Sequence, residues 1–350
     1  MRKAEVPLWE NVSPYSVASK LAKEVNMQSY WMRSDGNTAV IEIRDVERAV
    51  PSAKQIEIRV RAAGLNRGEF ILSHGLHKPG TAKAIGMEAA GEVVACGESV
   101  KNIKIGDRVM GRCPGAFAEY ALMDQAEAMP MPTNLSWEQA AAIPLTAMVV
   151  FDMVVIQGHL RAGEWVLIPG VTSGVGVTAL ALAKALGAKV IGTSGSQSKL
   201  DRLQSEGLDL GLCTRKPDFY EAVMSATGGQ GINLVINTVG GSMFAECIRA
   251  MAFEGRLATV GYVDNVLNAD IDIQALHTKR LTLFGVSNKL RTPVQRSEAV
   301  PAFKEQVLPL IHEGKMKPII ECVFPFHDLI AAKEMMNTNQ HLGKIILNGF

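Results

Sequence analysis

Val166-Leu-Ile-Pro-Gly-Val-Thr-Ser-Gly-Val-Gly176 opens as an apolar strand, turns through glycine and serine, and runs directly into the Ala/Leu-rich helical pattern of Val177 to Leu186. A strand ending in such a turn aims the first backbone N–H groups of the next helix at one point, where they can hold a pyrophosphate. Small residues let a phosphate approach the main chain, and Gly176 lets helix and strand lie close. The strict G-x-G-x-x-G spacing is not kept. With its last glycine on Gly176, Val171 and Ser173 fall on the first two glycine positions, beside Gly170 and Gly174. A purely structural strand–helix turn is the competing reading.

The next strand carries the second signal, in Ala188-Lys-Val-Ile-Gly-Thr-Ser-Gly-Ser-Gln-Ser-Lys199. A fold selective for NAD places an acidic residue at this strand's end to accept the ribose hydroxyls. Gly195 stands there, about twenty residues past the turn, between Ser194 and Ser196 and shortly before Lys199. A carboxylate would repel a 2′-phosphate, whereas hydroxyls and an ammonium can hold one. NADP is therefore favoured over NAD, and NADPH is the expected cofactor. A serine-capped helix start with a solvated Lys199 accounts for the same residues.

Working outward, Ile232-Asn-Leu-Val-Ile-Asn, Gly255-Arg-Leu-Ala-Thr-Val-Gly and Leu281-Thr-Leu-Phe-Gly-Val continue the strand series, alternating with helical stretches. That rhythm implies right-handed crossovers and a parallel sheet buried on both faces. Upstream, Ala39-Val-Ile-Glu-Ile-Arg, Gln55-Ile-Glu-Ile-Arg-Val-Arg-Ala, Glu92-Val-Val-Ala and Arg108-Val-Met are short strands between glycines, predicting a β-rich, barrel-like unit. Helical segments run from Ser136, a plausible N-cap, to about Gly158. The tail has a helix near Pro301 to Glu313 and a final Lys344-Ile-Ile-Leu strand that returns to the first unit. Met1 to about Asn26 stand outside the pattern, although Val17, Leu21 and Val25 recur as a helical stripe after Pro14. At 350 residues two domains are expected.

The chain is 47% hydrophobic and 20% charged, with 36 Lys plus Arg against 35 Asp plus Glu. Near-neutrality supplies no electrostatic reason to expect nucleic acid or an anionic membrane as partner. Cys96, Cys113, Cys213, Cys247 and Cys322 lie too far apart for a zinc knuckle and read as buried free thiols of a reducing compartment. Glu5, Glu10 and Asn11 interrupt the apolar run a signal peptide needs. Ala140 to Val155 is shorter than a membrane span and contains Pro144 and Asp152. A cytoplasmic location is expected.

From Met27 onward the sequence resembles the medium-chain dehydrogenase/reductase superfamily, in its zinc-free quinone oxidoreductase (zeta-crystallin-like) branch. The matching stretches are Arg59-Val-Arg-Ala-Ala-Gly-Leu-Asn-Arg-Gly-Glu, Gly86-Met-Glu-Ala-Ala-Gly-Glu-Val-Val, Ile105-Gly-Asp-Arg-Val, Ser173-Gly-Val-Gly, Asn237-Thr-Val-Gly-Gly and Gly343-Lys-Ile-Ile-Leu. The resemblance implies an α/β fold: a GroES-like β-rich catalytic domain (27–148 and 290–350) plus a Rossmann doubly wound parallel-sheet domain (149–289), after an extension at 1–26. The active site would lie in the cleft between the two domains.

Zinc-dependent relatives carry a cysteine in the segment matching Gly64-Leu-Asn-Arg and a histidine before the glutamate of Gly86-Met-Glu. Asn66 and Met87 stand there, poor zinc ligands, so no metal is expected. The resemblance implies that Asn66 faces the nicotinamide and the substrate carbonyl as a donor, and that Thr146 holds the nicotinamide side. Ser173, Gly174 and Val175 would contact the pyrophosphate, with Lys199 on the 2′-phosphate. Thr238, Gly261 and Phe284 would line the nicotinamide end, with Lys344 near the cleft. Relatives often place a tyrosine near the adenosine where this chain has Cys213-Thr214-Arg215. Thr214 cannot stack, while Arg215 offers a plane and a charge.

The expected reaction is NADPH-dependent hydride transfer to a quinone or an α,β-unsaturated carbonyl, the cofactor carrying the chemistry and the protein positioning it. Asn66 is the candidate donor to a developing enolate oxygen. His77 has the pKa range for proton donation, and an exposed loop histidine is the alternative description. His74 is a weaker candidate, and His159, His277, His312, His327 and His341 read as surface or capping residues. Enoyl-thioester reduction is a second reading; Lys279-Arg280 and Lys289 with Arg291 could form its basic mouth, or simply a solvated face. A non-catalytic NADPH-binding, crystallin-like role is a third. The apolar Leu281-Thr-Leu-Phe-Gly-Val strand, if it lies at an edge, suits a homodimer.

Overall fold

The strand that leads into the glycine turn lies inside a six-stranded parallel sheet. The computed structural model describes residues 26–35, 38–71, 81–288 and 290–350. The N-terminal stripe, His74, His77 and Lys289 fall outside the described residues.

Eight strands come first: β1 (Asn26–Asp35), β2 (Thr38–Glu47), β3 (Gln55–Gly64), β4 (Ala82–Ala84), β5 (Glu88–Cys96), β6 (Arg108–Arg112), β7 (Tyr120–Asp124) and β8 (Ala128–Pro130). Then come β9 (Trp165–Pro169), β10 (Lys189–Ser194), β11 (Leu210–Cys213), β12 (Ile232–Asn237), β13 (Met251–Thr259) and β14 (Thr282–Gly285). The chain ends with β15 (Ile320–Pro325) and β16 (Lys344–Asn348).

Strands β9 to β14 stand in the order β11-β10-β9-β12-β13-β14, all neighbours parallel. The chain leaves β9 for β10 on one side and later returns to β12 on the other. The order of strands thus reverses beside β9, and the crevice beyond the strand ends there is where such sheets bind ligands. Side chains alternate across the sheet. Val166, Ile168, Leu234 and Ile236 pack with Val177, Leu180 and Ala183 of the helix Gly174–Ala185. On the opposite face Leu167, Ile191, Val235 and Leu257 pack with Phe219, Val223, Met243 and Cys247.

The β-rich part is a seven-stranded sheet, β15-β16-β3-β5-β6-β8 with β7 also on β3, and a small sheet β2-β1-β4. The C-terminal strand β16 pairs antiparallel with β3 and brings Lys344 to the end of β3. Ala62, Ala90 and Met110 of the β-rich sheet share one buried cluster with Ile143, Ala147 and Val166, so the two units meet through a continuous apolar seam.

Ser136 caps the helix Trp137–Ala141 through a reciprocal pair with Gln139. Pro144 then starts a separate helix, Pro144–Phe151, which passes into a π-helical turn at Asp152–Ile156. The helical reading of this stretch holds, broken where proline cannot continue the hydrogen-bond ladder. The single helix expected near Pro301 to Glu313 is two, Val300–Gln306 and Leu308–His312, for the same reason at Pro309. Of the five cysteines only Cys113 and Cys247 are buried; Cys213 is exposed at the end of β11. Among the described residues no helix is long and apolar enough to cross a membrane.

Candidate functional site

The glycine turn ends β9 at the point of strand-order reversal. Gly170 has φ +72°, and a side chain there would meet the Thr238 hydroxyl, which itself donates to the Pro169 carbonyl at 2.7 Å. Thr238 thereby ties the ends of β9 and β12 together. Ser173 is the N-cap of the following helix, its hydroxyl accepting from the Gly176 amide at 3.1 Å. The amides of Gly174 and Val175, at the first two helical positions, have no intrahelical acceptor, as at any helix start. A Cβ on Gly176 would lie 2.5 Å from the Val171 carbonyl oxygen, so only glycine allows this approach of helix to strand. The arrangement fits a dinucleotide pyrophosphate.

At the end of β10, Ser194 is buried, within 3.4 Å of the Thr172 hydroxyl. Ser196 is the N-cap of the helix Gln197–Ser205 but makes no capping bond; its hydroxyl meets that of Ser198 at 3.1 Å. Gly195 is exposed, and the Arg215 side chain lies across it, where any larger residue would collide with the guanidinium. Thr214 turns its hydroxyl away, donating to Asp218 at 2.7 Å.

Lys199, expected on the 2′-phosphate, has two backbone partners in the C-terminal segment. Its ammonium donates to the carbonyls of Asn339 (2.7 Å) and His341 (2.9 Å), and so ties this helix to the C-terminal segment. Burial lowers its pKa, helped by the nearby charges of Arg215 and Arg202 and opposed by Glu321. Arg67 holds the same segment, donating to the Met336 carbonyl and the Asn339 side chain, each at 2.7 Å. His341, read from sequence as a surface or capping residue, is half-buried between these cations; burial is the first cause of its lowered pKa.

A buried polar cluster lies where the start of β16 meets the end of β3 and the helix Pro144–Phe151. Lys344, 4% exposed, donates to Glu88 Oε1 (2.7 Å), Asn66 Oδ1 (2.8 Å) and the Leu65 carbonyl (3.0 Å), with the Thr146 hydroxyl at 3.5 Å. Glu88 is fully buried, and its second oxygen accepts from the Leu145 amide at 2.8 Å. Asn66 Nδ2 donates to Glu69 Oε1 (2.8 Å) and Glu88 Oε1 (2.9 Å). Both amide hydrogens expected to face a substrate are thus turned into the protein. A Cβ on Gly174 would meet Lys344 Cδ at 3.2 Å, so this cluster adjoins the N-terminal end of the helix Gly174–Ala185. Gly261 follows β13 and Phe284 sits half-buried on β14, further along the same sheet edge.

Sequence reading singled out Asn66, Thr146 and Lys344 but not Glu69 and Glu88. Their signal was a carboxylate next to small and apolar residues in Gly86-Met-Glu-Ala-Ala and Asn66-Arg-Gly-Glu. The cluster does not fit a zinc ion. The Lys344 ammonium is already ion-paired with Glu88, Asn66 presents its N–H groups to the two carboxyl groups, and Met87 is a thioether. Among the described residues no group of three or more His, Cys, Asp or Glu is placed to hold a metal.

Two family models match the chain: the alcohol dehydrogenase GroES-like domain over residues 52–133 and the zinc-binding dehydrogenase over residues 174–323. A phenolphthiocerol/phthiocerol polyketide synthase chain of Mycobacterium tuberculosis is 29% identical over 315 residues, 89% of this chain but 14% of that protein. The chain therefore spans only a small part of the length of that relative. Among solved structures, the quinone oxidoreductase of Pseudomonas syringae pv. Tomato DC3000 superposes with a TM-score of 0.81 at 26% identity, covering 92% of this chain and all of that one. The CurK enoyl reductase superposes with a TM-score of 0.79 at 26% identity, covering 92% and 99%. With its GroES-like unit, its Rossmann-type sheet and its dinucleotide turn, the chain belongs to the medium-chain dehydrogenase/reductase superfamily of NAD(P)-dependent oxidoreductases.

Proposed function

We propose that this protein is a zinc-independent, NADPH-dependent reductase of quinones or α,β-unsaturated carbonyls. The observation that carries the cofactor choice is Arg215 lying across Gly195, a cation at the place where a carboxylate would select NAD. Lys344 at the centre of the buried cluster carries the zinc-free reading, because its ammonium stands among the groups a metal would need.

NADPH supplies the hydride when bound. The amides of Gly174 and Val175 with Ser173 hold its pyrophosphate, and Arg215 with Ser194, Gly195 and Ser196 receives the 2′-phosphate. Thr146, Thr238, Gly261 and Phe284 border the nicotinamide. Asn66 serves the acceptor oxygen once one of its N–H groups turns outward, and Lys344 holds its carbonyl side in place. Reduction of a quinone asks little of a protein acid, since water can protonate a delocalised oxygen anion.

A second reading is favoured by the relatives: the polyketide synthase and the CurK enoyl reductase both match over most of this chain. In that reading the acceptor is an enoyl thioester reduced at its β-carbon. Strand β14 is the outer strand of the parallel sheet, so a second copy could pair along it and make a homodimer.

The deciding experiment is a panel of quinones, simple enones and enoyl thioesters assayed with NADPH and NADH, with and without a chelator. NADPH oxidation by quinones or enones, unchanged by the chelator, is expected. Turnover of thioesters alone selects the second reading. Activity lost to the chelator, or a strong preference for NADH, refutes the proposal.

A further inference from the structure

Glu69, in the 3₁₀ turn Arg67–Phe70, is 4% exposed. Its Oε1 accepts from Asn66; its Oε2 is buried without a well-formed hydrogen bond among the described residues, the Gly86 amide being the backbone donor that acts on the carboxyl. The charged groups that face it are Glu88 from β5 and Lys344 from β16. Lys344 has its three hydrogens on Glu88, Asn66 and the Leu65 carbonyl, so Glu69 lacks a counter-ion of its own. Each of the two carboxyl groups accepts from the Asn66 amide nitrogen, and only Glu88 is ion-paired.

We infer that Glu69 is a positioning residue for Asn66: as a neutral acid it holds the amide loosely enough for one N–H to turn to the hydride acceptor, and as a carboxylate it clamps that N–H inward. The catalytic consequence rests on the reading of Asn66 as donor to the acceptor oxygen. A hydrogen bond to an ionised acceptor is roughly twice as strong as one to a neutral acceptor, which is the source of the clamp. Burial pushes the Glu69 carboxyl up to about 8, against the Asn66 hydrogen bond and the Lys344 charge. The loose state is therefore the one present at neutral pH.

The test reads the side chains directly. The full chain, with ¹³C in glutamate carboxyls and ¹⁵N in asparagine side chains, is titrated by NMR with and without saturating NADPH. Asn66→Ala and Glu69→Gln assign the signals. One carboxyl is expected to titrate near pH 8 and to vanish in Glu69→Gln, with the Asn66 amide following the same midpoint. A Glu69 carboxyl ionised throughout, or an Asn66 amide that ignores its titration, overturns the inference in the wild type alone, whether or not any variant folds.

With an acceptor that is turned over, kcat/KM should fall by about tenfold in all across that midpoint and then level off, and stay flat in Glu69→Gln. Identical profiles in the two proteins also overturn the inference. If no acceptor is reduced, the proposed function fails while the NMR titration still decides Glu69.

Discussion

The guanidinium of Arg215 occupies the space that a side chain at residue 195 would fill, and it can do so only because that residue is glycine. Two strand ends are coupled by this contact: β10 supplies the gap and the segment after β11 supplies the charge. Charge-assisted hydrogen bonds to phosphate contribute about 1.5–3 kcal/mol, enough to separate two cofactors that differ by one phosphate.

Gly195→Asp should therefore displace Arg215 and put a carboxylate beside the ribose. The ratio of kcat/KM for NADPH to that for NADH is expected to fall by about tenfold to a hundredfold. Arg215→Ala should weaken NADPH binding alone, leaving the Kd for NADH within about twofold. Equal losses for both cofactors would remove Arg215 from the 2′-phosphate.

The Lys344–Glu88 pair is a stability element independent of any substrate. Lys344→Met leaves a fully buried carboxylate without its cation and should cost about 3–5 kcal/mol, read as a lower unfolding midpoint in denaturant. Adding Glu88→Gln should restore part of that loss, because no uncompensated charge then remains. A double variant no more stable than Lys344→Met would argue against the pair.

Stability should also follow the ionisation of Glu69. Its folded-state pKa, about 8, lies above the 4.5 of an ordinary glutamate. Below both values the two states bind the proton equally. Between them the folded state binds more protons than the unfolded one, so stability falls as pH rises, by on the order of 1 kcal/mol per pH unit. Above about 8 the penalty is constant. Glu69→Gln should remove that slope and gain on the wild type from pH 5 to pH 8, measured by denaturant melts at each pH. Parallel stability curves would contradict a raised pKa.

Gly176→Ala tests the dinucleotide turn. The added methyl would lie 2.5 Å from the Val171 carbonyl oxygen and 2.7 Å from that of Gly170. The helix start must move away, taking the Gly174 and Val175 amides with it. Weaker binding of NADPH and NADH alike is expected, by at least about tenfold in Kd, with a lower melting temperature.

The parallel sheet and its turn were legible because their signals are local. Apolar runs such as Val166-Leu-Ile and Leu234-Val-Ile with intervening helices leave few arrangements, and the glycine at 176 sits next to what it serves. Ser136 as a helix cap was readable for the same reason. Residue type was less informative where several carbonyls and one cation compete. Lys199 looked available beside Ser196, yet it bonds carbonyls about 140 residues away in sequence.

By itself the sequence determined the succession of strands and helices along the chain, the place of the glycine turn after β9 and the lack of an acid at Gly195, all properties of contiguous segments. Only the tertiary structure decided which polar groups neutralise one another. Asn66, Glu69, Glu88, Thr146 and Lys344 come from four separate parts of the chain, and β16 must pair with β3 before Lys344 can reach Glu88. Hydrogen-bond allegiance and the charge state of a carboxyl depend on burial and on every neighbour at once, which no single segment encodes.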